Sequence, residues 1–211
     1  MKRYPYIAIE GNIAVGKTSL VKRYAEHVNA KAFYEQFDDN PFLPKFYQNP
    51  EKYAFPLEMS FLAERYHQVK KELQSGDLFH ETIISDYYFP KSLIFAKINL
   101  PEEEFLLYKN LFTIIHNQLP KPSLFVYLYA ENEYLLSNIK KRARTYEQSI
   151  SDAYLLSIHK GYMEFIKQII DFPVLLIDMS KVNFVDKMED FNKIVSILEG
   201  EYENGLHRID L

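Results

Sequence analysis

Lys17 and Thr18 end a run bracketed by two glycines, Gly11-Asn12-Ile13-Ala14-Val15-Gly16-Lys17-Thr18. The spacing fits G-x-x-x-x-G-K-[ST], a loop whose backbone N–H groups cradle phosphate oxygens. In such a loop the lysine reaches the β- and γ-phosphates, and the threonine hydroxyl contacts Mg²⁺. Gly11 and Gly16 permit backbone conformations and close approaches that a side chain blocks. The expected nucleotide-binding stretch runs from Gly11 through Ser19. Average residue usage makes a chance match roughly one in a hundred for a chain this long.

Phosphoryl transfer also needs a metal anchor, a group to orient the nucleophile, and cations on the moving phosphoryl. Asp86 ends the apolar run Thr82-Ile83-Ile84-Ser85 and is the expected Mg²⁺-linked carboxylate; its plainer role is a strand-end turn or helix cap. Glu35 ends an earlier strand-like run, where it could accept the proton of an attacking hydroxyl. Lys140, Lys141, Arg142 and Arg144 form a basic cluster. Such runs are commonly solvated faces or nucleic-acid patches. In a short cluster of a net-acidic chain, a lid that brings arginines over phosphates is the better use. Glu58, Leu62, Arg65 and Val69 share one helical face. Spacing leaves open whether Glu58 and Arg65 form a buried ion pair or contact a polar ligand in an apolar pocket.

The elements that must position these groups are legible as alternating apolar runs and helical patterns. Five runs read as buried parallel strands: Tyr6–Glu10, Lys31–Glu35, Thr82–Asp86, Leu124–Tyr129 and Val174–Asp178. Helical patterns cover Thr18–Val28, Pro56–Gln74, Glu102–Asn117, Glu133–Ala143, Ser151–Ile170 and Lys187–Leu198. The expectation is an α/β fold of the P-loop kinase type: a five-stranded parallel sheet, order 2-3-1-4-5, flanked by helices, with an arginine-rich lid. Asp38 to Asn49 reads as a loop or short broken helix. Residues 1–200 form the expected domain and 201–211 a mobile polar tail. Ligands of such sheets bind outside the carboxyl ends of the strands, and Glu10, Glu35, Asp86 and Asp178 end four of the five.

Composition narrows the classes. The 211 residues are 47% hydrophobic with net charge −4, which gives no global pull toward nucleic acid or anionic membrane. The absence of Cys excludes disulfides, thiolate catalysis and Cys-based metal centres. No apolar stretch has the length of a membrane span, and no signal-peptide pattern opens the chain. The expected setting is cytoplasmic. The motifs D-x-x-G and N-K-x-D of regulatory GTPases, a G-x-S-x-G elbow, and metal-ligand spacing of the histidines are all absent.

Several blocks in order resemble the deoxynucleoside kinase family, most of all its bacterial deoxyadenosine/deoxyguanosine kinase branch. They are Ile9-Glu10-Gly11-Asn12-Ile13, similar to the family's E-G-N-I-[GA]; Glu35; Asn40-Pro41-Phe42-Leu43-Pro44-Lys45-Phe46-Tyr47; Pro50-Glu51-Lys52-Tyr53-Ala54-Phe55; the Glu58/Arg65 helix; Ile94-Phe95-Ala96; and Arg142-Ala143-Arg144-Thr145-Tyr146-Glu147-Gln148, similar to R-x-R-x-x-E-Q. The resemblance implies transfer of the ATP γ-phosphoryl group, with Mg²⁺, to the 5′-hydroxyl of a purine deoxynucleoside. It implies Glu35 as general base, Tyr47 and Glu147 on the 3′-hydroxyl, and Arg65 and position 58 on the nucleobase. Arg142 and Arg144 would clamp the phosphoryl group, and Asp86 matches the acid of [DE]-R-S. It also implies a homodimer, for which the apolar Glu102–Asn117 helix is the candidate interface, and feedback inhibition by a deoxynucleoside triphosphate.

Two departures stand out. Tyr87-Tyr88 follows Asp86, so the arginine of [DE]-R-S is missing, and Lys91 is the candidate to supply its charge. The base-reading position usually held by Gln is Glu58. An ionised carboxylate only accepts hydrogen bonds, which tilts preference toward the two adjacent donors of guanine. Rival readings are a nucleoside monophosphate kinase, disfavoured by the acidic set Glu35, Asp38, Asp39 and Glu58, and an ATP-binding regulatory module without an acceptor.

Overall fold

The computed structural model describes residues 3–36, 39–74 and 80–211; Asp38 lies outside them. Strands β1 (Tyr6–Gly11), β2 (Lys31–Phe33), β3 (Ile83–Ser85), β4 (Leu124–Tyr129), β5 (Pro173–Asp178) and β6 (Gly205–Ile209) form one parallel sheet in the order β2-β3-β1-β4-β5-β6. The expected order of the first five is present. The expected count of five is corrected to six, because the supposed polar tail pairs with β5 along Gly205–Ile209. Leu206 and Ile209 pack against the core on opposite sides of the sheet, while Arg208 between them is exposed. A half-exposed edge strand with His and Arg in it lacks the unbroken apolar run that marks a strand buried on both faces.

Alternation along the strands sorts the core into two layers. In β4, Leu124, Val126 and Leu128 point to one face, Phe125 and Tyr127 to the other. Helices α1 (Lys17–Val28), α6 (Asn132–Arg142) and α8 (Met188–Leu198) cover the aliphatic face with Leu20, Val21, Leu135, Ile139, Ile194 and Leu198. The other face is more aromatic. It is covered by α3 (Pro50–Gln74), α4 (Lys91–Asn99), α5 (Glu102–His116) and α7 (Asp152–Ile166). Burial on both faces is why β1 and β4 read as unbroken apolar runs.

Residues Leu43–Gln48 form a short helix, α2, one of the two forms expected of that stretch. Two local features depart from expectation. Helix α3 starts at Pro50, so Pro56 lies inside it. Proline removes one helical N–H bond, yet Ala54, Leu57, Phe61 and Leu62 are buried around it and packing holds the helix together. Helix α4 was not legible as a helix; Lys91, Ser92, Ile94 and Ala96 are all buried, so no polar stripe breaks the pattern. Strands β2 and β3 end at Phe33 and Ser85, which leaves Glu35 and Asp86 just beyond the sheet. The chain leaves central β1 for β2 and β3 on one side, and β4 and β5 lie on the other. The crevice above β1 is the switch point where such sheets bind ligands.

Candidate active site

The loop between β1 and α1 occupies that crevice. Gly11 has φ 154°, and a Cβ there would stand 2.5 Å from the Leu128 carbonyl oxygen and 2.8 Å from Val15 Cγ1. Gly16 has φ 106° and precedes α1, whose first turn has no capping side chain. Unpaired N–H groups and the helix dipole there suit an anion. Asn12 anchors the loop: its amide donates to the Leu155 carbonyl (2.8 Å), and its side-chain oxygen accepts from Ile13 N (2.8 Å). Asn138 of α6 donates to the Ala14 carbonyl at 3.0 Å. Lys17 Nζ rests on the carbonyls of Gly11 and Asn12, both at 2.9 Å. Burial, with Lys91 nearby, lowers the Lys17 ammonium from 10.5 to about 8.

Thr18 Oγ1 donates to Asp86 Oδ2 at 2.6 Å, and the other Asp86 oxygen accepts from Glu35 N at 2.7 Å. A hydroxyl beside a carboxylate is the hard-oxygen chemistry that suits Mg²⁺, which takes few protein ligands and keeps waters and phosphates. Among the described residues, no three or more His, Cys, Asp or Glu side chains gather for a metal. The pair therefore fits an ion that brings its other ligands with a nucleotide.

Glu35 is the centre of a buried charge cluster. Arg65 reaches its Oε1 through Nε at 2.8 Å and a terminal nitrogen at 2.6 Å, and Lys91 Nζ reaches Oε2 at 2.6 Å. Arg65 also donates to Ser92 Oγ at 2.9 Å and lies over the Phe61 ring. Burial alone would raise the Glu35 carboxyl, but the Lys91 and Arg65 charges overcome it and hold it at about 2. On the Glu58/Arg65 face, Arg65 pairs with Glu35 and not with Glu58, and both side chains line one cavity.

Glu58 is 1% exposed and lines the same cavity, of ≈ 450 Å³. Asn99 donates to its Oε1 at 2.7 Å, while Oε2 has no hydrogen-bond partner among the described residues. Burial raises this carboxyl from 4.5 to about 7, against the opposing pull of Arg65 and Asn99. At the cavity's rim, Arg142 donates to Glu147 through Nε (3.0 Å) and a terminal nitrogen (2.5 Å), and Arg144 lies 3.4 Å from the same carboxylate. Tyr47 stacks on Tyr146 with ring centroids 5.9 Å apart. A second cavity, of ≈ 750 Å³, lies beyond the loop between Tyr134, Asn138, Lys141 and the segment around Phe184. Both cavities are lined by Ala14, Lys17, Thr18, Ser19 and Arg142, so a phosphate chain on the loop would join them.

Lys17, Thr18, Glu35, Tyr47, Glu58, Arg65, Asp86, Arg142, Arg144 and Glu147 thus line one cavity. Asp39 is not among its lining residues. Sequence reasoning missed Asn99, Ser92 and Tyr154, which carry no motif. It also missed the segment at Ser180–Asp186, although the rule that sites gather beyond strand ends points to the residues after β5.

Residues 7–200 match the family described as deoxynucleoside kinase. The chain is 34% identical over 200 residues to a deoxyguanosine kinase of Bacillus subtilis, covering 93% of this chain and 97% of that one. It is 31% identical over 202 residues to a deoxyadenosine kinase of Dictyostelium discoideum, covering 94% and 80%. The fold matches a deoxyadenosine kinase from M. mycoides with bound dATP, with TM-score 0.78 and 24% identity, over 92% of this chain and 99% of that one.

Proposed function

The chain belongs to the deoxynucleoside kinase family, and on that premise we propose that it transfers the γ-phosphoryl group of ATP to the 5′-hydroxyl of a purine deoxynucleoside. The observation that supports the reading is the Glu35 carboxylate, fixed between two cations where the phosphate loop meets a partly apolar cavity. The donor phosphates lie on the loop from Gly11 to Ser19, with Lys17 leaving the Gly11 and Asn12 carbonyls to meet them. Thr18 and Asp86 would hold Mg²⁺, which would neutralise charge on the phosphates.

Glu35 accepts the hydrogen bond of the 5′-hydroxyl and fixes its line of attack. A carboxylate held near a pKa of about 2 is a weak base toward an intact hydroxyl. Phosphoryl transfer is largely dissociative, so the hydroxyl needs to lose its proton only late, once the new P–O bond has made it strongly acidic. Glu35 takes the proton at that stage. Arg142 and Arg144 swing from Glu147 toward the moving phosphoryl, and Tyr47 and Glu147 hold the 3′-hydroxyl. The acceptor end spends Arg65 and Lys91 on Glu35, so it offers no spare cation from that cluster for an acceptor phosphate. This favours a nucleoside over a nucleoside monophosphate.

Helix α5 leaves Leu106, Leu107 and Ile114 exposed, and the same reading assigns that face to a homodimer in a cytoplasmic salvage enzyme. A phosphorylation panel tests the function: deoxyadenosine, deoxyguanosine, deoxycytidine, thymidine and their monophosphates, with ATP·Mg²⁺. Turnover of purine deoxynucleosides that collapses in Glu35→Gln is the expected result. Turnover of monophosphates alone overturns it.

A further inference from the structure

Glu58 stands apart from the other charged groups of the cavity. Glu35 has two cations, Glu147 two arginines and Asp86 a donor on each oxygen, while Glu58 has one neutral amide on Oε1 and, among the described residues, no hydrogen-bond partner on Oε2. Because Asn99 donates to Oε1, that oxygen is an acceptor in either form of the acid. Only Oε2 changes character: as O–H it donates, and as O⁻ it accepts. A neutral Glu58 therefore presents one donor and one acceptor. These match the N1 acceptor and 6-amino donor of adenine. An ionised Glu58 presents two acceptors, matching the N1–H and 2-amino donors of guanine.

We propose that Glu58 reads the purine edge through its protonation state, so that the choice between deoxyadenosine and deoxyguanosine shifts toward deoxyguanosine as pH rises. The inference rests on the acceptor-site reading above and deepens it. The groups around Glu58 leave both forms accessible. Arg65 on α3 and Lys91 on α4 favour the anion, Glu35 opposes it, and burial opposes it most. Tyr108 on α5 and Tyr154 on α7 also face it, and burial keeps both phenols neutral. The balance puts the transition at about 7, inside the range where the enzyme can be assayed.

The test is kcat/KM for deoxyguanosine divided by that for deoxyadenosine, measured from about pH 6 to about pH 8 on the intact enzyme. Effects of Lys17, Glu35 and Asp86 on the shared chemistry cancel in this ratio. If each form of Glu58 serves one base, the ratio rises about tenfold per pH unit. In Glu58→Gln, which cannot ionise, the ratio is flat. A flat or falling ratio in the wild type overturns the inference while leaving the kinase reading intact. A slope that survives in Glu58→Gln assigns the response to another group and also overturns it. Absence of turnover on every nucleoside overturns the acceptor-site reading beneath it.

Discussion

Of the four carboxylates that line the cavity, Glu35 and Glu58 are treated in opposite ways. At the end nearest the phosphate loop, Glu35 receives Arg65 and Lys91 and is held at about 2, against burial. At the far end, Glu58 receives a single amide, and burial lifts it to about 7. Burial disfavours the charged form of both; the partners decide the outcome. The end that must keep a fixed negative charge for chemistry is supplied with cations. The end proposed to meet the nucleobase is left with hydrogen-bonding capacity and no committed counterion. Opposite shifts of neighbouring acids are a recurrent sign of divided roles.

The largest expected effect removes the Glu35 end. Glu35→Gln should lower kcat by about 10²–10⁴. It should also destabilise the fold by about 3–5 kcal/mol, because Arg65 and Lys91 lose their partner; turnover and a urea midpoint measure the two losses. A kcat within a few fold of the parent would remove Glu35 from the chemistry.

A sharper test strips one cation. Lys91→Met should raise the Glu35 carboxyl, moving the acid limb of the kcat/KM profile upward by about 1–3 pH units, and Lys91→Arg should restore it. An unmoved limb would mean that Arg65 alone holds Glu35 down.

At the opposite end the sign reverses. The unfolded Glu58 ionises near 4.5 and the folded one near 7, so its contribution to stability is lost as pH rises through that interval. Above it the deficit is on the order of 3 kcal/mol. Glu58→Gln should therefore gain stability over the parent at pH 8, and little at pH 4, in urea titrations at about those pH values. An equal effect at both would show that Glu58 is not the buried acid described.

The smallest effect is Asn99→Ala. Loss of one hydrogen bond to Glu58 should raise the nucleoside KM about five- to tenfold with kcat little changed. A fall in kcat with constant KM would place Asn99 nearer the chemistry.

Legibility followed the same division. The phosphate loop is contiguous, and its glycines, Lys17 and Thr18 are fixed by local backbone needs, so adjacency in sequence shows them. Glu35 and Asp86 were legible because apolar runs point at them. The supporting residues were not. Ser92 and Asn99 lie on α4, which is mostly buried, so no amphipathic period marks the helix, and their partners stand 27 and 41 residues away. The sixth strand was hidden by charged residues on a sheet edge. The substitution of Tyr87-Tyr88 for an arginine left a charge unaccounted for in the sequence, and Lys91 stands against Glu35 in the structure. The amide that leaves Glu58 half-paired belongs to tertiary packing, which no local pattern encodes.

The stacked rings of Tyr47 and Tyr146 also have an optical consequence. The chain contains no tryptophan, so tyrosine dominates its near-ultraviolet emission, without a brighter residue to mask it. The stack lines the cavity proposed for the nucleoside, together with Glu147. A molecule that enters and parts the two rings alters the emission of this pair directly, giving the protein an unlabelled signal for occupancy of its own site.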